Sequence, residues 1–101
     1  GMDCKKAATR IEQEICASAE LLKLDDDLGK SYRAVLGQFP RAEDQGAVKQ
    51  QQRHWLLRVR NLCLDKVCLT EAYQARIAFL KPERYLKDPN AQFMGLSKEG
   101  A

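Results

Sequence analysis

The sequence predicts an all-α fold, a small helical bundle of about four helices with a long antiparallel hairpin at its centre and two local disulfides. Three observations predict it. Apolar residues recur at helical spacing in four separate stretches. Short connections bearing Pro, Gly or an acidic cap separate those stretches, which makes consecutive helices antiparallel neighbours. Four cysteines fall as two close pairs, Cys4 with Cys16 and Cys63 with Cys68. At 101 residues the chain has the size of one domain with one modest core. We expect residues 1–80 to form that domain and residues 81–101 to be a C-terminal extension, partly packed or frayed.

The first element follows an arm at residues 3–8. Thr9 and Glu12 fit a capping box, so a short helix runs from there to about Ala17, with Ile11 and Ile15 on one face. Ser18 caps the second helix, and Glu20 suits its positive N-terminal end. Leu21, Leu24, Leu28, Tyr32, Val35 and Phe39 share a stripe over about five turns, and Pro40 ends the run. The third helix is expected from about Glu43 or Asp44 to Leu62, with Val48, Trp55, Val59 and Leu62 on its core stripe. Asp65 is the natural cap of the fourth, which runs from about Lys66 to Leu80 and buries Leu69, Tyr73, Ile77 and Leu80. Trp55, Tyr32 and Tyr73 lie on these stripes and read as core aromatics. Asp25 sits at the edge of the second stripe and Arg76 at the edge of the fourth. A structural ion pair between Asp25 and Arg76, or Asp25 and Arg60, would offset the cost of their burial.

The even cysteine count points to an oxidising compartment. Four cysteines allow three connectivities, and sequence proximity favours Cys4–Cys16 with Cys63–Cys68. Structural zinc sites usually offer tighter C-x2-C pairs, and the lone His54 has no metal-like neighbour in sequence, so disulfides are preferred over a metal site. A continuous helix would hold residues 4 and 16 about 18 Å apart, so their bridge requires the arm to fold back.

No cofactor and no catalytic residue is expected. The chain offers no Ser/Cys-His-Asp arrangement, and His54 lies off the core stripe. The net charge of +3 is split into −1 over residues 1–50 and +4 over residues 51–101. Lys49, Arg53, Arg58 and Arg60 sit on or near the solvent face of the third helix, yet no nucleic-acid reading motif accompanies them, so no nucleic-acid partner is expected. No run approaches the ~18 apolar residues of a membrane span. Leu57 points the same way as Arg53 and Arg60, opposite Trp55. These three residues are the candidate partner-binding group, unless Tyr85 or Phe93 of the tail covers Leu57.

A set of residues resembles the signature of the LprI-like lysozyme-inhibitor N-terminal family. They are Gln52-Arg53, Trp55-Leu56, Arg60-Asn61, Cys63, Cys68-Leu69, Ala72-Tyr73 and Arg76-Ile77. The N-terminal part agrees through Asp3-Cys4, Ile15-Cys16, Glu20-Leu21, Leu24-Asp25, Leu28 and Tyr32. The resemblance covers residues 3–80. It implies a small, helical, disulfide-bonded bacterial protein, periplasmic or secreted, whose partner is lysozyme or another envelope protein. A structural or stress-related envelope protein with no discrete ligand is the alternative. For an inhibitor, the acidic run Asp25-Asp26-Asp27 with Glu20 could meet a basic enzyme. Alternatively, Arg53, Leu57 and Arg60 could enter its carboxylate-bearing cleft.

Overall fold

The computed structural model describes residues 2–83. Asp3 caps a 3-10 turn, Cys4–Lys6, by accepting from the Lys5 amide. Helix α1, Arg10–Cys16, then starts with a complete capping box: Thr9 accepts from the Glu12 amide, and Glu12 accepts from the Thr9 amide. Glu12 also accepts from the Ala8 amide. Ser18 caps α2, Ala19–Leu36, and Asp65 caps α4, Lys66–Phe79, each through a side-chain oxygen. Helix α3, Ala42–Arg58, has no side-chain cap at its start. Instead Gln45 folds back and donates to the Phe39 carbonyl, 2.7 Å away, which closes the α2–α3 corner.

Both predicted disulfides are present, Cys4–Cys16 and Cys63–Cys68. The arm folds back along α1 as the first bridge requires, leaving the paired Cα atoms 5.7 Å apart. Arg10 joins the two bridged regions: its Nη2 donates to the Cys63 carbonyl at 2.6 Å.

The hairpin of α2 and α3 runs antiparallel, and α4 returns parallel to α2. The register of that parallel pair is set by Lys66 on Glu20 and Tyr73 on Asp25, in the same order along both helices. Helix α4 packs more closely on α2 than α3 does. The core between them holds Leu21, Leu28, Val35, Val48, Trp55, Leu69, Tyr73 and Leu80, with Ile11 and Ile15 of α1 closing one end. The Trp55 and Tyr73 rings meet edge to face, 5.5 Å between centroids. Tyr32 is half-buried against this core.

One expectation needs correction. Helix α3 stops at Arg58, not Leu62, and Val59 (φ −121°, ψ −67°) leaves helical geometry. A 3-10 turn, Arg60–Leu62, follows. Leaving the α-helix destroys the 100° phase that put Val59 and Leu62 on the Trp55 stripe. Both are therefore exposed, at 43% and 66%, while Cys63 takes the buried position at 1%.

Candidate partner-binding face

The residues between α3 and α4 divide into an internal network and an external face. Tyr73 anchors the network. Its ring is fully buried, and its hydroxyl donates to Asp25 Oδ1 at 2.9 Å. Burial raises the hydroxyl pKa well above that of an ordinary tyrosine, and the Asp25 carboxylate adds to the rise by charge and hydrogen bond. The Arg60 guanidinium opposes both, acting on the same hydroxyl. Arg60 is half-buried, donates through Nε to Asn61 Oδ1 at 3.0 Å, and adds a minor pull on the Glu12 carboxyl, which the Ala8 and Thr9 amides hold below its usual range.

The expected Asp25–Arg76 ion pair is replaced by two separate sets of bonds. Asp25 takes Tyr73, while Arg76, 7% exposed, donates to Gln52 Oε1 at 2.9 Å and to Gln51 Oε1 at 3.3 Å. Its guanidinium also lies over the Phe79 ring. The reason is angular. Tyr73 and Arg76 are three residues apart, so they diverge by roughly 60° around α4. One faces α2 and the other faces α3. Arg60, the other partner considered for Asp25, reaches the same tyrosine hydroxyl.

The external face begins on α3. Arg53 and Leu57 are exposed, Leu57 at 48%, and His54 is exposed beside them. Arg60 is directed into the network, so the three candidate partner-binding residues split: Arg53 and Leu57 face solvent, and Arg60 is tied inward. The proposed covering of Leu57 by Tyr85 or Phe93 lies outside the described residues. Past Leu57 the exposed apolar run continues through Val59, Leu62, Leu64 and Val67. Sequence reasoning missed Leu62, Leu64 and Val67 as surface features. The available signal was the six-residue Cys63–Cys68 loop, too short to let each apolar residue turn inward.

The acidic run on α2 offers a poor contrast. Asp27 pairs with Lys23 and Asp26 with Lys30, each one turn away, and Glu20 pairs with Lys66. Lys66 also pulls the Glu20 carboxyl below its usual range. By comparison Lys49, Arg53 and Arg58 make no ion pair among the described residues. Uncompensated charge on this part of the molecule is therefore positive and sits on α3. No group of three or more His, Cys, Asp or Glu residues among the described residues could hold a metal, and no helix among them is long and apolar enough to cross a membrane.

Comparison with known proteins adds a lineage to this geometry. The protein-family model described as Lysozyme inhibitor LprI matches residues 4–80. The chain is similar to the Lipoprotein LprI of Mycobacterium bovis and to that of Mycobacterium tuberculosis, with 31% identity over 83 residues to each. That alignment covers 78% of this chain and 40% of each relative, so the chain spans well under half the length of the curated relatives it matches. No solved structure matches.

Proposed function

Since the chain belongs to the lysozyme inhibitor LprI family, we propose that it is an exported, non-catalytic protein whose partner is a lysozyme-type cell-wall hydrolase. The contact is the outer face of α3, with Leu57 as the apolar anchor and Arg53 as the cation. Arg60, held by Asn61 and the Tyr73 hydroxyl, supports the end of that face from within. One observation carries this reading: a large apolar side chain stands exposed among cations that have no acidic partner. A glycoside hydrolase of this kind works through two carboxylates in a cleft, so an arginine beside an aliphatic knob is chemically suited to fill it. The paired acids of α2 are less suited, because their charge is already met by Lys23, Lys30 and Lys66.

The oxidised protein should be titrated against lysozyme on cell-wall substrate at low and moderate salt. Inhibition at micromolar protein in either salt is the expected result. Its absence in both removes the inhibitor reading and leaves a helical envelope protein with a different partner.

A further inference from the structure

Gly46 lies inside α3, four residues past its first residue Ala42, with helix on both sides. Glycine at such a position lowers the folding equilibrium constant roughly fivefold against alanine. A fold keeps glycine where the backbone turns left-handed or where another group comes too close for a Cβ. Neither holds here among the described residues. Gly46 is helical, and a Cβ built on it meets nothing within 4 Å. The other described glycines differ: a Cβ on Gly29 would stand 3.2 Å from Arg33 Nη1, and one on Gly37 would stand 3.4 Å from the Arg33 carbonyl oxygen.

The direction in which Gly46 points is informative. At about 100° per residue, Gln50, Arg53 and Leu57 fall within about 40° of it around the helix. The buried residues of α3, Ala47, Val48, Gln51 and Trp55, lie on the opposite half. Gly46 thus belongs to the same outward stripe as Arg53 and Leu57, about 17 Å from Leu57 along the axis. Every residue of this stripe is exposed. From Gln45 to Arg58 the helix carries Lys49, Arg53 and Arg58 and no acid. None of the three cations makes an ion pair among the described residues. The acids nearest in sequence, Glu43 and Asp44, precede Gly46 and both meet Arg41.

We propose that Gly46 is a contact position for the partner: an acidic protein surface lies lengthwise along α3, and its main chain passes over Gly46. The inference rests on the hydrolase reading above and extends it from one apolar knob and one cation to a contact that runs most of the helix. The missing Cβ lets a partner backbone approach the helix more closely than any other residue would. Lys49 and Arg53, along the same side, complement carboxylates on that surface. Leu57 at one end and the Gly46 notch at the other fix the direction in which the partner lies.

The test is calorimetric titration of lysozyme with the full oxidised chain, with Gly46→Ala and with Gly46→Gln, alongside thermal unfolding of each. Ala34→Gln, exposed on α2, is the control. Both Gly46 variants should unfold at a higher temperature than the native chain, because each is a better helix former in open space. Both should bind lysozyme more weakly, by about tenfold for Gly46→Ala and by more for Gly46→Gln. The control should bind as the native chain does. A glycine needed only by the fold would lose stability and affinity together, so changes of opposite sign identify the contact. Native binding that both variants retain overturns the Gly46 contact and leaves the hydrolase reading standing. No binding by the native chain removes both. A lower unfolding temperature for Gly46→Ala assigns the close approach to another part of this chain and overturns the proposal equally.

Discussion

Tyr73 joins α2 and α4 through one hydroxyl, and Arg60 brings the turn after α3 to the same point. Tyr73→Phe keeps the ring against Trp55 but leaves the half-buried Asp25 carboxylate without its donor. A loss of about 1–3 kcal/mol is expected in urea unfolding. The raised hydroxyl pKa also has a consequence at high pH. Its stabilisation is fully present below the unfolded tyrosine pKa, about 10, and is lost as pH rises from there toward the folded value. Stability of the native protein should therefore fall above about pH 10 more steeply than that of Tyr73→Phe. Trp55, 7% exposed, is the larger packing contribution, and Trp55→Ala should cost about 3–5 kcal/mol by the same measurement. At this scale the stripe residues Trp55 and Tyr73 were legible because helical periodicity alone fixes which way they point. Asp25's partner was not. A parallel helix pair can slide by a turn without changing either stripe, and the Tyr73 and Lys66 contacts that mark the register are not readable from either stripe. Several residues that carry the family resemblance, among them Asp25, Trp55, Arg60, Asn61 and Tyr73, converge on this network. They act on folding first.

The helix starts were readable from single side chains. Thr9 with Glu12, Ser18 and Asp65 are all caps in the structure, since a capping oxygen needs only its own neighbours to act. The end of α3 was not readable. Arg58 carries no stop signal of its own, and the helix ends because the Cys63–Cys68 bridge and the Arg10 contact hold the following turn in another geometry. The α1 cap is acid-sensitive. Hydrogen bonds from the Ala8 amide, then the Thr9 amide, lower the Glu12 pKa. Its contribution is complete above the ordinary glutamate range and is lost as pH falls through the lowered folded value. Protection factors of the α1 amides, that is exchange rates referred to the unfolded chain at the same pH, should therefore fall on acidification, and Glu12→Gln should blunt that response. For the bridges, chain entropy assigns about 2 kcal/mol to the six-residue Cys63–Cys68 loop and about 3 kcal/mol to the thirteen-residue Cys4–Cys16 loop. Non-reducing peptide mapping should recover those two links only, and a peptide joining residues 4 and 63 would refute the pairing.

At the scale of the whole molecule, charge and apolar exposure are segregated. The α2 acids are matched by lysines on α2 and α4, the interior network absorbs Asp25 and Arg60, and the outer side of α3 carries Lys49, Arg53 and Arg58 without an ion pair among the described residues, beside the exposed Leu57. Composition predicted the excess of positive charge in the second half of the chain. It could not say which cations were already paired, because pairing depends on how α2 and α4 align. The net charge of +3 slows encounter with a basic enzyme. Any inhibition must therefore come from a close local fit at Arg53 and Leu57. The most direct test is calorimetric titration of lysozyme with the native chain and with Arg53→Glu and Leu57→Asp, both exposed changes that should leave thermal unfolding nearly unmoved. Binding by the native chain, weakened at least tenfold by each change, is the predicted result. Equal binding by all three proteins would place the contact elsewhere on the molecule and contradict the account.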